Sequence, residues 1–133
     1  MILNPQLLEA WGSQKNLSGD LTDFVRKSKD MVVVLDSELN YLAANETACR
    51  ILRKSESELL GRNLLELFPQ LTASVSHRML LQTISSGEVM EKALSEGTFT
   101  RQGAQYSTNY YPLLKEGKAR AVLAVTKMLY YPG

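Results

Sequence analysis

Two side chains of the sequence could carry chemistry by themselves, the single histidine and the single cysteine. His77 could move protons or ligate a haem iron, and Cys49 could act as a thiolate nucleophile. Neither has a partner: there is no second histidine, and Cys49 falls on the apolar face of a predicted helix. The sequence therefore predicts an inert thiol and no metal centre.

Motifs that mark catalytic sites are also missing from the chain. We find no phosphate-cradling glycine loop, no Gly-x-Ser-x-Gly, no kinase ATP-binding motif and no helix-turn-helix signature. The carboxylates of Asp20, Asp23, Glu56 and Glu58 fit helix caps and solvated faces better than an acid–base pair. We predict that this chain is not an enzyme, and a small-molecule isomerase has the least support.

Composition sets the broad class of protein. The chain has 133 residues, a net charge of +1 and one cysteine. Its length fits one domain with its own core, and its balanced charge disfavours direct nucleic-acid binding. One cysteine is compatible with a reducing compartment, and we find no span able to cross a bilayer. The sequence therefore predicts a cytoplasmic domain without membrane contact.

Residues 1–28 are predicted to form two flanking helices. Asn4 and Pro5 fit the start of the first helix and Gly12 fits its end, while Asp20 fits the start of the second. Their apolar side chains are candidates for a homodimer interface against the outer face of a sheet: Leu7, Leu8, Trp11, Phe24 and Val25.

A hairpin and a capped helix follow the flanking segment. The apolar run Met31 to Leu35 predicts a strand, Asp36 favours a turn, and Tyr41 to Ala44 returns as a second strand. Asn45 can then accept hydrogen bonds from the free amides at the start of a helix.

Further helices are predicted in the middle of the chain. Ser55 and Glu58 have the spacing of a capping box. A longer helix is predicted over Leu71 to Ser85, with Val75 on its apolar stripe and Gly87 at its end.

The rest of the chain predicts a meander of strands with turns at "RQG" and "KEG". The final strand is apolar at successive positions, so both faces of the sheet should be covered there. The predicted strands are approximately Val89 to Phe99, Ala104 to Leu114 and Lys118 to Leu129.

This order of elements resembles the PAS domain family over about residues 29 to 129. The resemblance is carried by "DMVVVLDSELNYLAANETACRILRKSESELLGRNLLELFP", "SSGE" and "YYPLLKEGKARAVLAVTKML". It implies an α+β fold, in which a five-stranded antiparallel sheet carries short helices on one face. The domain would span residues 29–130, preceded by the flanking helices of residues 1–28.

The resemblance also implies a function. Members of the family use a small cavity between sheet and helices, so we expect a sensor domain of a bacterial sensor histidine kinase or transcription regulator. Its effector, a kinase or a DNA-binding domain, would lie outside this chain. The alternative is a ligand-free module for protein–protein interaction or dimerisation.

The expected cavity lining comes from side chains that could point inward. Tyr106 and Asn109 are polar candidates, but their opposite parity allows at most one of them to face inward without a bulge. The full set of candidates is Cys49, Leu52, Leu67, Phe68, Met79, Leu80, Thr83, Tyr106, Asn109, Leu123 and Val125.

The resemblance leaves the ligand open. In light-oxygen-voltage relatives a reactive cysteine follows Gly-x-Asn, whereas Leu64 follows "GRN" here, which excludes flavin-adduct chemistry. Haem through His77 and a flavin bound without an adduct are the two remaining cofactor options, and no cofactor is the favoured expectation.

Overall fold

A computed structural model describes residues 25–96 and 105–130. The elements follow one another in the order that the sequence predicts: a hairpin, a series of short helices, a longer helix and three further strands. They are β1 (Met31–Asp36), β2 (Tyr41–Ala44), α1 (Glu46–Leu52), α2 (Glu56–Leu59), α3 (Leu64–Leu67), a 3-10 turn (Pro69–Leu71), α4 (Val75–Ser86), β3 (Met90–Glu96), β4 (Gln105–Lys115) and β5 (Lys118–Tyr130).

The strands form one five-stranded antiparallel sheet in the order β2-β1-β5-β4-β3. The fold is α+β, as predicted. Strand β1 pairs with β5, aligning Val33 with Ala124, and β5 pairs with β4, aligning Ala124 with Tyr110. The turn between β4 and β5 is formed by Glu116 and Gly117, whose φ angles of 54° and 78° are typical of a tight hairpin turn. The predicted "KEG" turn is confirmed.

Asn45 joins the start of α1 to the sheet. Its Oδ1 accepts hydrogen bonds from the amides of Ala48, at 2.9 Å, and Val32, at 3.1 Å. Its Nδ2 donates to the carbonyl oxygens of Ser28 and Asp30. The predicted cap is confirmed, and the same side chain also holds the segment that leads into β1.

The predicted capping box is confirmed at α2. The hydroxyl of Ser55 accepts a hydrogen bond from the amide of Glu58, and the Glu58 carboxylate accepts one from the amide of Ser55. These bonds satisfy amides that the helix itself leaves unpaired.

The predicted start of the long helix at Leu71 was wrong. Leu71 lies in the 3-10 turn, and α4 begins at Val75 behind Ser74, whose hydroxyl accepts a hydrogen bond from the amide of His77. Ala73 adopts a φ of 62°, which interrupts a right-handed helix at that point. Val75 is 37% exposed, so it does not belong to a buried stripe.

Alternating side chains of the strands build a separate core on each face of the sheet. The inner face packs against the helices, and the outer face forms an aliphatic cluster. Val122 is inward and Leu123 outward, and both are fully buried. The prediction that β5 is covered on both faces is therefore confirmed.

Most of the predicted dimer interface lies outside the described residues, including Leu7, Leu8, Trp11 and Phe24. Val25 lies in a helical turn and is fully buried in the outer-face cluster. Its contacts are therefore within the chain.

Candidate functional site

A cavity of about 70 Å³ lies between the inner face of the sheet and the helices. Strands β1, β2, β4 and β5 form its floor, and side chains from α1, α3, the 3-10 turn and α4 cover it. The lining residues are Met31, Val33, Leu35, Tyr41, Leu52, Leu64, Leu71, Ser76, Leu80, Tyr106, Thr108, Tyr110, Ala124 and Thr126.

The period of a strand explains which side chains reach the cavity. Successive residues point to opposite faces, so Val33 and Leu35 of β1 face inward together. On β5 the register places Ala124 beside Val33. The small side chain of Ala124 leaves room in the middle of the floor, while Leu80 of α4 closes the space opposite the sheet.

Hydroxyl groups of β4 and β5 give one part of the cavity a polar lining. The hydroxyl oxygens of Thr108 and Thr126 are 2.9 Å apart and share a hydrogen bond. Burial raises the pKa of Tyr110, and the neighbouring hydroxyls of Ser76 and Thr108 partly offset this effect. These groups can hydrogen-bond a ligand without introducing charge.

Tyr41 on β2 supplies a further hydroxyl. The residue is 2% exposed and lines the cavity. Burial raises the pKa of Tyr41 well above its ordinary value, which keeps the phenol neutral. No hydrogen bond to this hydroxyl is formed within residues 25–96 and 105–130, yet its oxygen is not among the fully buried atoms.

No charged side chain lines the cavity within the described part of the chain. Nor do His, Cys, Asp and Glu side chains of those residues form a group that could hold a metal ion. The site therefore offers shape, apolar contact and hydroxyl groups.

The two cofactor options do not fit this cavity. His77 is not among the lining residues, and its Nδ1 accepts a hydrogen bond of 2.9 Å from the amide of Ala73. The volume of about 70 Å³ is also far below the roughly 300 Å³ at which pockets for drug-sized ligands begin. Neither a haem nor a flavin can enter without extensive repacking.

Cys49 is half-buried on α1. Burial raises the pKa of its thiol, and the carboxylates of Glu56 and Glu46 raise it further. These effects disfavour the thiolate, which is the reactive form. They agree with the expectation of an inert thiol.

Three of the predicted lining residues are brought together around the cavity, namely Leu52, Leu80 and Tyr106. They come from α1, α4 and β4, which are distant in the sequence. Their contact with a ligand stays a prediction.

The predicted orientation of three strand residues requires correction. Leu123 and Val125 belong to the cluster on the outer face. Asn109 pairs with Val125 and donates a hydrogen bond to the Tyr111 hydroxyl on that face. The parity argument was right that Tyr106 and Asn109 could not both face inward, and Tyr106 is the one that does.

The remaining candidates pack near the cavity without lining it. Phe68 is buried in the inner core, and Thr83 is fully buried, its hydroxyl donating to the Met79 carbonyl at 2.8 Å. The directions of side chains around α4 explain the placement of Thr83 and Met79, because Leu80 alone of these α4 residues points at the floor of the cavity. The other three candidates are partly buried and pack against the inner core: Cys49, Leu67 and Met79.

Sequence reasoning missed most of the polar lining. If Tyr106 is taken to face inward, the two-residue period of a strand places Thr108 and Tyr110 on the same face. Tyr41 and Ser76 had no comparable signal, because their direction depends on how the hairpin and α4 pack on the sheet.

Sheet order, short helices and an internal cavity on the helical face define the class of this protein as an α+β fold with a single antiparallel sheet. A family model described as PAS fold matches residues 25–127. The chain belongs to the PAS family. PAS domains are generally sensory, non-catalytic modules.

Solved structures show the same fold. A domain of an HTR-like protein from Haloarcula marismortui has a TM-score of 0.64 at 17% identity, covering 77% of this chain and 100% of that one. A sensory box sensor histidine kinase from Vibrio cholerae has a TM-score of 0.65 at 14% identity, covering 84% of this chain and 90% of that one.

The PAS domain of Bordetella pertussis BvgS has a TM-score of 0.65 at 14% identity and covers 82% of this chain and 83% of that one. Among curated proteins, none matches the sequence significantly. In the described part of the chain, no helix has both the length and the apolar character needed to span a membrane.

Proposed function

We propose that this chain is the signal-sensing domain of a bacterial signal-transduction protein. It binds a small ligand between sheet and helices and relays the change to an effector outside this chain, a histidine kinase or a transcription regulator. It works in the cytoplasm. The observation that carries the proposal is the hydroxyl-lined cavity of about 70 Å³ on the inner face.

A ligand in this cavity would touch both layers of the fold. Leu80 and Ser76 belong to α4, whereas Ala124 and Thr126 belong to β5. A small displacement of α4 against β5 would therefore accompany binding. Ligand binding shifts a conformational equilibrium when the ligand contacts the two states differently.

Asn45 offers a route from the cavity to the segment that precedes β1. It caps α1, the helix that places Leu52 in the cavity, and its Nδ2 donates to the carbonyl oxygens of Ser28 and Asp30. A shift of α1 would thus move the backbone at residues 28–30. The similarity to a sensory box sensor histidine kinase also supports a role upstream of a kinase.

Native mass spectrometry of freshly purified protein, paired with an absorption spectrum, tests the proposal. We expect a colourless protein that retains a small mass. In Ala124→Leu the larger side chain fills the middle of the floor, so the retained mass should disappear. A matched control is Ala119→Leu, on the same strand and outside the cavity lining.

Three results would count against the proposal. The first is a wild-type protein that binds nothing, either as purified or in a metabolite screen. The second is retention of the same mass in Ala124→Leu, which would place the ligand elsewhere. The third is loss of the mass in a folded Ala119→Leu as well as in Ala124→Leu, which would show that the loss does not depend on filling the cavity.

A ligand-free interaction or dimerisation module is the second candidate. The small volume of the cavity favours it, since about 70 Å³ is little space in a core of this size. Under this alternative, the protein would be bare in native mass spectrometry and its mass would double with rising concentration. A bare monomer at all concentrations would contradict it.

A further inference from the structure

The outer face of the sheet is fully buried within a single copy of the chain. Val34 of β1 and Leu123 of β5 are paired at its centre, and both are 0% exposed. Side chains stand out from the plane of a sheet, so neighbouring strands alone cannot keep water from their tips. A second layer must therefore lie on this face. The fully buried strand residues of the face are Val32, Val34, Ala43, Leu113, Ala121 and Leu123.

Within the described residues, the outer-face cluster has one member that does not belong to a strand, Val25. The buried face extends over β2, β1, β5 and β4. With about 4.8 Å between neighbouring strands, four strands are about 14 Å wide. One isopropyl group is too small to cover that width. Other residues of the chain must complete the second layer, since a single copy already shows this burial.

Val25 marks the point at which the rest of the chain joins the outer face. It is directly preceded by residues 1–24, so that segment is attached at the face itself. Asn45 holds the link between Val25 and β1, because its Nδ2 donates to the carbonyl oxygens of Ser28, at 3.2 Å, and Asp30, at 2.8 Å. Hydrogen bonds to the start of α1 thus fix where the segment begins to cross the sheet.

Residues 1–24 have the side chains that a second layer needs. The sequence predicts two short amphipathic helices in this part of the chain. Short helices gain most of their stability when their apolar side packs on another apolar surface. The large side chains of the predicted apolar sides are Leu7, Leu8, Trp11 and Phe24.

We propose that residues 1–24 form an intramolecular second layer over the outer face of the sheet. This arrangement differs from the predicted homodimer interface, because the apolar side chains of the segment contact their own sheet instead of a second copy. It is independent of the sensor proposal, since it concerns the face opposite the cavity. The outer face is then closed to partners as long as the segment lies on it.

The fluorescence of Trp11 in the unaltered protein is the first test. Trp11 is the single tryptophan of the chain, so its emission reports on residues 1–24 alone. We expect emission at a shorter wavelength than in the urea-unfolded protein, with no change on dilution. Emission at the unfolded wavelength would overturn the proposal. A shift that disappears on dilution would assign the cover to a second copy and would also overturn it.

Cysteine labelling at two neighbouring positions tests which face the segment covers. Ala43 and Ala44 are adjacent on β2, and they are 0% and 1% exposed. Ala43 belongs to the outer-face cluster and Ala44 to the inner core. In a Cys49→Ala background, Ala43→Cys and Ala44→Cys each carry a single thiol. We expect both thiols to react slowly with a maleimide.

Leu8→Glu together with Trp11→Glu should detach the segment, because a charged side chain is strongly disfavoured against an apolar face. In this background the thiol at position 43 should react at least about tenfold faster, as expected for a site that opens locally. The thiol at position 44 is the matched control. It should stay slow, because the helices still cover the inner face.

An unchanged rate at position 43 in the glutamate background would show that residues 1–24 do not cover the outer face. Equal acceleration at positions 43 and 44 would show that the whole fold opens, and this result would also contradict the proposal. If Ala43→Cys does not fold, Ala121→Cys on β5 replaces it, since Ala121 is fully buried in the same cluster. Ligand retention in native mass spectrometry has no bearing on these outcomes, so the sensor proposal stands or fails separately.

Discussion

The two faces of the sheet differ in how completely their side chains are packed. The outer face is aliphatic, and its central residues are fully buried; they are Val25, Val32, Val34, Ala43, Leu113, Ala121 and Leu123. The inner face carries hydroxyl groups and leaves a cavity of about 70 Å³ beneath the helices. The same strands therefore provide a tightly packed surface on one side and a surface with a cavity on the other.

We expect this difference to separate the residues that determine stability from those that determine ligand binding. A closely packed aliphatic cluster contributes mainly through burial, so removing its atoms leaves voids that the structure cannot fill. An incompletely filled cavity lined by hydroxyls can be altered with smaller effects on folding. We therefore expect substitutions on the outer face to affect unfolding most and those on the inner face to affect binding most.

The largest expected effect is at Leu123, in the middle of the outer face. Leu123→Ala should lower the free energy of unfolding by about 3 kcal/mol, because it removes a fully buried side chain and leaves a void. Urea denaturation measures this change. Met128→Ala is the control, since Met128 is on the same strand and 46% exposed; a similar loss in both variants would contradict the comparison.

The next effect is an alkaline loss of stability that arises on the inner face. Burial raises the pKa of Tyr41 and Tyr110 above the ordinary 10.0, so the folded protein holds these protons more tightly than the unfolded chain. Their contribution is complete below pH 10 and is lost as the pH rises above it. Each tyrosine can lower the free energy of unfolding by at most about 1.4 kcal/mol per pH unit.

Urea denaturation between pH 8 and 11, in roughly half-unit steps across the ordinary tyrosine pKa, tests this prediction. The double variant Tyr41→Phe with Tyr110→Phe should lose less stability above pH 10 than the wild type, because the groups responsible are gone. An identical decline in the two proteins would assign the alkaline effect to other groups.

A smaller effect is expected for the threonine pair. Thr108→Val should cost about 1 kcal/mol, because Thr126 loses the partner at 2.9 Å. The double variant with Thr126→Val should cost less than the sum of the two single variants, since no hydroxyl is then left unpaired. Strict additivity in urea denaturation would show that the two hydroxyls are not coupled.

The smallest effect on folding should come from Tyr41→Phe. With no hydrogen bond to lose among the described residues, its free energy of unfolding at pH 7 should stay within about 0.5 kcal/mol of the wild type. A larger loss in a thermal or urea melt would show that the hydroxyl has a structural partner. The inner face would then resemble the outer one more closely than we propose.

Local signals in the sequence predicted much of the fold. Asn45 caps a helix, and Ser55 with Glu58 forms a capping box, because the bonding groups lie within a few residues of one another. The start of α4 was predicted too early, because the apolar pattern extends back to Leu71, whereas the backbone turns at Ala73. An apolar pattern alone does not show where a turn interrupts it.

The sequence by itself determined the family, the order of elements and the local caps, since these depend on neighbouring residues and on hydrophobic periodicity. Tertiary structure decided which side chains face the cavity. Tyr106 and Thr108 face inward while Leu123 and Val125 face outward, because strand pairing fixes the phase of each strand.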